Sequence, residues 1–313
     1  MNIYELAKAP ERLTGGHRLC AGCGAPIAVR EILSAIKEPV IAVNATGCLE
    51  VSTTVYPYSA WKIPWIHSAF ANAAATASGI AEAYNVLRKK GKINPEHSGE
   101  IKFVVFAGDG GTYDIGIQSL SGALERGHKF LYVCYNNEAY QNTGNQRSSA
   151  TPTGAATTTT PPGKISSGKT QKRKNLTEIV AAHEIPYVAQ TSIHLWADVA
   201  SKAQKAMAVD GPSFINILSP CQLFWNYSPE KTIKIARLAV ETNLWPLYEV
   251  ENGKYKINYS PSSPLPVIEW IKSQGRFKHL LAPENQAIVQ KIQEEVNKEW
   301  QALKNKVEMT NKK

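Results

Sequence analysis

The residues best placed to do chemistry in this chain sit where apolar runs stop. Residues 103–116 read FVVFAGDGGTYDIG, a buried strand that breaks into glycines with a carboxylate, Asp109, between the first two of them. Glycines after a strand let backbone N–H groups approach a phosphate, yet neither familiar pattern fits. The dinucleotide turn Gly-x-Gly-x-x-Gly needs a glycine where Tyr113 stands, and no Gly-Lys-Ser/Thr follows to make a P-loop. A carboxylate at such a tip repels a diphosphate unless a cation lies between them. Mg²⁺ serves, because it takes oxygens from one or two carboxylates and from phosphate together. Further protein oxygens must come from a neighbouring strand end. In a right-handed β-α-β unit both parallel strands finish on one edge of the sheet, so the residues after the next strand, 129–135, should face Asp109. These are NNEAY, 136–140, with Asn137 lying 28 residues beyond Asp109. Asn137 offers a side-chain carbonyl, and a main-chain carbonyl nearby offers another oxygen.

Thiols form the second group. Cys20-Ala-Gly-Cys23 alone suits a thioredoxin-like pair, half of a zinc site or half of an iron–sulfur site. The small α/β context of the thioredoxin reading is missing. Cys48 closes ATGC and Cys221 closes LSPC, each just past a strand-like run, so both belong near the edge that carries Asp109. Four thiolates suit Zn²⁺ or a [4Fe–4S] cluster, and the residue types do not separate the two. Cys134, inside the apolar run FLYVCYNN, reads as a core residue.

The elements that must position these groups alternate along the chain. Helices are expected over 26–37, 68–91, 115–126, 176–183 and 195–208, and strands over 40–48, 102–107, 129–135, YVAQTS and SFINIL. This is an α/β fold with a mainly parallel sheet and helices on both faces. Between them, 141–175 lapses into a long loop of the kind that is functional, interfacial or disordered. Its cluster KTQKRKN, 169–175, reads as solvated. After Cys221 a helix, an Asn-Gly hairpin (YEVENGKYKIN) and a polar terminal helix over 283–304 form an extension. The expected organisation is a cofactor domain over 1–221 and an extension over 222–313 that packs on it or on a partner subunit.

Composition narrows the classes. The net charge of +9 (35 basic, 26 acidic residues) is spread along the chain, so it favours acidic partners in general and no nucleic-acid site. There is no run of about 20 apolar residues for a membrane span and no export-type N-terminus, so a cytoplasmic protein is expected.

Six segments, HRLCAGCGAP, NATGCLEV, YPYSAWKIPWIHSAFANAAA, FAGDGGTYDIGIQSLSGALERGH, NNEAYQNTGNQRSSATPTGA and SPC, together resemble the β chain of pyruvate:ferredoxin oxidoreductase and its 2-oxoacid:acceptor relatives. The likeness runs from about residue 15 to 250, and the Gly-Asp-Gly to Asn-Asn spacing is similar to the diphosphate motif of thiamine diphosphate enzymes. It implies a thiamine diphosphate-binding fold with Mg²⁺ on Asp109, Asn137 and the carbonyl of Ala139. A [4Fe–4S] cluster is implied on Cys20, Cys23, Cys48 and Cys221. Diphosphate contacts fall on Gly108, Asp109, Gly110 and Gly111, and thiamine or substrate contacts on the stretch Asn137 to Thr143, with Glu138, Ala139, Tyr140 and Asn142 among them. Asn142 lies nearest the reacting carbon and is assigned with Thr143 to catalysis, while Ala25 and Cys48 neighbour the cofactor.

The implied reaction is oxidative decarboxylation of pyruvate with coenzyme A, giving acetyl-CoA and CO₂. The thiazolium ring acts as electron sink, and a one-electron carrier beside it can take the electrons to ferredoxin, which zinc cannot. Another acid (oxalate, 2-oxoglutarate, a branched 2-oxoacid) is the alternative within the family. A redox-inactive thiamine lyase or scaffold subunit with structural Cys₄ zinc is the alternative outside it. The activating glutamate of a pyrimidine-binding domain and a two-cluster ferredoxin run are expected on partner subunits. His67 reads as facing cofactor or core, Arg147 as a carboxylate contact or a surface residue, and Tyr58, Trp61 and Trp65 as packing or interface. After Cys221, QLFWNY departs from the Thr-Gly-Trp type stretch of many relatives, which puts contacts around the cluster in question.

Overall fold

The computed structural model describes residues 3–93 and 100–311. Among these, eight strands form one sheet: β1 (Val40–Ala45), β2 (Trp65–Ser68), β3 (Lys102–Gly108), β4 (Leu131–Asn136), β5 (Tyr187–Ser192), β6 (Ser213–Leu218), β7 (Leu247–Glu251) and β8 (Lys254–Tyr259). Their spatial order is β2-β1-β3-β4-β6-β5-β7-β8, with the first six parallel and the last two antiparallel. Every residue of β4, β5 and β6 is buried, as a strand covered on both faces requires. Successive side chains go to opposite layers. Leu131, Val133 and Tyr135 join Val29, Ile32 and Ala203 of the helices Gly24–Ala35 and Trp196–Ala208 on one face. Tyr132 and Cys134 join Ala77, Leu120 and Leu124 of the helices Ala73–Lys89 and Ile117–Glu125 on the other.

The expected alternation and the parallel sheet are therefore present. Strands β1, β3, β4 and β6 are consecutive neighbours, which puts Cys48, Asp109, Asn137 and Cys221, each just past one of their ends, along a single edge. An open α/β sheet binds ligands outside the carboxyl ends of its strands.

Three local readings change. Trp65–Ser68 is a short edge strand that was not expected, and the helix expected from 68 begins at Ala73. Cys48 opens a short helix, Cys48–Thr53, instead of closing a strand. The helix expected over 115–126 is preceded by a wide turn, Gly110–Ile115, with π-helical hydrogen bonding. That widening brings the Gly111 carbonyl to within 2.1 Å of where a Cβ on Gly116 would stand, so glycine is required there.

The cluster KTQKRKN is solvated only in part. Lys169 is buried, its ammonium donates to the Thr151 carbonyl, and burial lowers its pKa to about 8. Arg173 pairs with Glu138, and Lys174 reaches the Tyr113 carbonyl and Asp114. Composition alone cannot reveal counter-groups that lie 18 to 61 residues away.

The extension adds β7 and β8 to the sheet beside β5, turning through Asn252 and Gly253, both at positive φ, as an Asn-Gly hairpin demands. Helix Gln286–Asn311 packs against β8. A third apolar cluster, with Trp225, Trp245, Trp270 and Phe277 at its centre, joins these elements to Leu218 at the end of β6.

The start of the helix Gly24–Ala35 is tied to the β6 edge by the Gly24 N–H, which donates to the Pro220 carbonyl at 3.1 Å. A Cβ on Gly24 would stand 2.7 Å from the Ser219 backbone. Gly24→Ala should therefore destabilise the protein by about 1–3 kcal/mol through overpacking. Thermal unfolding measures the loss, and an unchanged midpoint would mean that this contact is looser than the geometry says.

Candidate active site

The turn after β3 is built around Asp109, whose side chain is fully buried. Its Oδ2 accepts from Ser148 Oγ at 2.5 Å and its Oδ1 from the Asn137 N–H at 3.2 Å. Burial outweighs these bonds and pushes the carboxyl up to about 7. A Cβ on Gly110 would stand 2.5 Å from the Tyr140 ring, so the chain passes close beneath that side chain only because residue 110 has none.

Three oxygens meet beside Asp109. The Asn137 side-chain oxygen lies 2.8 Å from Asp109 Oδ1 and 2.9 Å from the Ala139 carbonyl oxygen. Turning the amide over would place an NH₂ between the two acceptors, and a bound cation would satisfy all three oxygens at once. Neighbouring oxygens around an octahedral Mg²⁺ at 2.0–2.1 Å are about 2.9 Å apart, so this donor set fits that ion.

The segment from Asn137 to Ala139 is fixed from several sides. Glu138 has φ 64°, which a non-glycine residue adopts only when its surroundings hold it there. Its N–H donates to Asn136 Oδ1 at 3.0 Å, and its carbonyl accepts from Thr151 Oγ1 at 2.6 Å. Its carboxylate lies between Arg173 and Arg276. The Asn137 carbonyl accepts from Gln141 Nε2 and from Trp225 Nε1, both at 2.9 Å.

One cavity gathers most of the expected cofactor residues: Cys48, Gly108, Gly110, Gly111, Asn137, Ala139, Tyr140, Asn142 and Thr143. Asn142 and Thr143 are exposed at its rim, and Asp109 lies beneath it. Glu138 is not part of the lining, because its side chain turns inward to the two arginines. Sequence reasoning missed Thr46, Phe70 and Tyr135 in the wall and Ser148 behind Asp109. Ser148 lies within a motif already singled out, but nothing local marks one serine of Ser148-Ser149 as the buried one.

Cys20, Cys23, Cys48 and Cys221 line an adjoining cavity together with Ala25, and Cys48, Asn137 and Gln141 belong to both walls. Burial pushes the Cys23 thiol up to about 12 and the Cys48 thiol up to about 11, and raises that of Cys221. Each pair among the four repels as thiolates, adding to these shifts. Among the described residues no three His, Cys, Asp or Glu side chains are close enough to hold one metal ion directly. Cys134 is buried in the core, as its apolar run implied.

His67 stands on β2 with its side chain 44% exposed, and its Nε2 lies 2.7 Å from the Oγ1 of Thr46 in the cavity wall. Arg147 is exposed. Trp61 is buried against Trp65 and Phe106, whereas Tyr58 is exposed. The departing stretch QLFWNY forms the turn Gln222–Trp225, in which Leu223 and Phe224 line the cysteine cavity and Trp225 holds the Asn137 carbonyl.

Residues 45–217 match the family described as thiamine pyrophosphate enzyme, C-terminal TPP binding domain. Pyruvate synthase subunit PorB of Thermotoga maritima is 52% identical over 319 residues, covering 99% of this chain and 98% of that protein. PorB of Methanocaldococcus jannaschii is 52% identical over 285 residues, 91% of this chain and 95% of its own length. Ketoisovalerate oxidoreductase subunit VorB of Pyrococcus abyssi is 44% identical over 96% of this chain and 94% of its own. The structure of 2-oxoglutarate:ferredoxin oxidoreductase from Magnetococcus marinus superposes with TM-score 0.55 over 72% of this chain and 79% of that one, at 20% identity, which speaks for the fold. No helix among the described residues is long and apolar enough to cross a membrane. The resemblance read from the motifs is borne out, and the chain belongs to the PorB family of subunits of multi-subunit 2-oxoacid oxidoreductases, built on the thiamine pyrophosphate-binding domain.

Proposed function

We propose that this chain is the thiamine diphosphate-binding β subunit of a pyruvate:ferredoxin oxidoreductase, carrying Mg²⁺ and a [4Fe–4S] cluster on the sites just described. Residues 1–221 form the cofactor domain and 222–313 the extension. The observation that carries the reading is the common wall of Cys48, Asn137 and Gln141 between the Asp109 cavity and the four-cysteine cavity. Thiamine diphosphate, when bound, supplies a ring that accepts the electron pair released as a 2-oxoacid loses CO₂.

The chain's own residues do the rest. Asp109, Asn137 and the Ala139 carbonyl hold the cation that neutralises the diphosphate, and the turn Gly108–Gly111 lets the phosphates approach the backbone. Asn142 and Thr143, at the rim, orient the substrate over the cavity. Cys20, Cys23, Cys48 and Cys221 hold the cluster. A single zinc ion holds four sulfurs about 2.3 Å from one point and has no accessible redox change. A four-iron core spreads its ligands further apart.

The activating glutamate comes from a pyrimidine-domain partner, and electrons leave through a ferredoxin-like subunit to ferredoxin. Pyruvate is favoured because the PorB relatives reach 52% identity. The VorB relative at 44% makes a branched 2-oxoacid the second reading.

Co-expression with the partner subunits and anaerobic purification test this. A brown complex containing iron and thiamine diphosphate, reducing ferredoxin with pyruvate and coenzyme A, is expected. An iron-free complex, or one that turns over 2-oxoisovalerate and not pyruvate, would overturn the corresponding half. Cys48→Ser should abolish pyruvate-dependent ferredoxin reduction and lower iron content while thiamine diphosphate still binds, and equilibrium dialysis separates the two effects.

Asp109→Asn should weaken Mg²⁺-dependent thiamine diphosphate binding by at least about 100-fold, beyond what outer-shell partners contribute. Below a pKa of about 7 a cation must displace the Asp109 proton. Affinity in the wild type should therefore climb with pH up to about 7 and level off above it. Titrations from pH 5.5 to 8 that stay flat would contradict this role.

A further inference from the structure

Arg276 comes from the C-terminal segment and its side chain is 4% exposed. Its Nη2 lies 2.5 Å from Glu138 Oε2, its Nε donates to Gln274 Oε1 at 2.9 Å, and its guanidinium carbon stands 3.6 Å from the centre of the Trp225 ring. Trp225 closes the turn that opens at Cys221, donating its backbone N–H to the Cys221 carbonyl at 3.0 Å. The same tryptophan donates its ring N–H to the Asn137 carbonyl. One buried cation thus grips both the residue between Asn137 and Ala139 and the ring behind Cys221.

Charge counting adds a second consequence. Arg173 takes the other oxygen of Glu138, so two guanidiniums face one carboxylate and one positive charge is left over. In a water-poor interior that excess acts over a longer range than it would at the surface. The cysteine cavity lies next to it, since the guanidinium stacks on Trp225, whose backbone N–H is bonded to the Cys221 carbonyl, and Leu223 and Phe224 of the same turn line that cavity.

We infer that Arg276 is a positioning residue that ties the Asn137–Ala139 segment to the cysteine cavity and, through its buried charge, favours electron uptake by the group the cysteines hold. This rests on the reading of those cysteines as a cluster site. Reduction adds one electron to the cluster with no charge lost elsewhere, so a fixed positive charge nearby stabilises the reduced form and raises its potential. The electron comes from the decarboxylated substrate and passes on to ferredoxin.

The test is EPR-monitored redox titration of the cluster in the assembled complex, with iron and thiamine diphosphate content measured alongside. Arg276→Gln, leaving Glu138 balanced by Arg173, should shift the one-electron equilibrium about tenfold toward the oxidised form, about 59 mV downward. Glu138→Gln leaves both guanidiniums uncompensated and should shift it the opposite way. Arg276→Lys keeps the charge but loses the stacking and the fork, so it should hold the potential while weakening Mg²⁺-dependent thiamine diphosphate binding.

Opposite shifts in the two glutamine variants support the inference, because a merely structural defect would move both the same way. Equal or unshifted potentials overturn it. If Arg276→Gln fails to assemble, the comparison of Arg276→Lys with Glu138→Gln decides, and identical potentials there overturn it too. A wild-type complex without iron removes the cysteine reading itself, an outcome read from metal content rather than from potential.

Discussion

A carboxyl group buried with only neutral donors bonded to it is the constraint around which this edge of the sheet is arranged. Asp109 receives Ser148 Oγ and the Asn137 N–H, and those two bonds do not offset its loss of hydration. Such a group is stable in one of two ways: it keeps a proton, or a cation comes to it. The Asn137 side-chain amide and the Ala139 carbonyl lie against the same carboxylate, and with the amide oxygen turned inward they offer a cation two further acceptors. On the proposed reading, the cost of that burial in the protein alone becomes binding free energy when a divalent ion arrives with its diphosphate.

Holding three acceptors together needs a rigid frame, and the frame is supplied from far along the chain. Glu138 at φ 64° is kept in place by backbone bonds from within the fold and by arginines 35 and 138 residues away. The Asn137 carbonyl is held by Trp225 from beyond β6. The extension is therefore part of the site's architecture: β7 and β8 complete the sheet, and the aromatic cluster behind Trp225 carries Arg276.

What could be read from the chain follows the range of the forces involved. Strands β4, β5 and β6 are continuous apolar runs, so their existence, and through the handedness of β-α-β units the convergence of Asp109 with Asn137, was legible without coordinates. The gathering of Cys48 and Cys221 on one edge followed from the same rule. The inward turn of Glu138 was not legible, nor was the burial of Lys169 or the pairing of Arg173 and Lys174, because a charged residue looks solvated until its partner is known. The four-residue strand Trp65–Ser68 was missed for a related reason: it lies at the sheet edge with two exposed positions and carries too short a pattern.

On the proposed reading, the adjacency of the two cavities suits the arrangement to one-electron chemistry. A cofactor that ends decarboxylation rich in electrons can pass them on singly only if an acceptor lies within a wall's thickness, and here that wall is Cys48, Asn137 and Gln141. The same residues face two opposite electrostatic demands. On the proposed reading Asn137 presents oxygen to a cation on one side, while four thiols, three of them partly buried and one exposed, repel one another as thiolates and call for positive charge on the other. A single net positive charge, set behind the wall by Arg276 and Arg173 against Glu138, serves the second demand without entering either cavity. On the inferred role of Arg276, placing that charge on the segment that also braces Asn137 links the geometry of the cation site to the electrostatics of the cysteine ring.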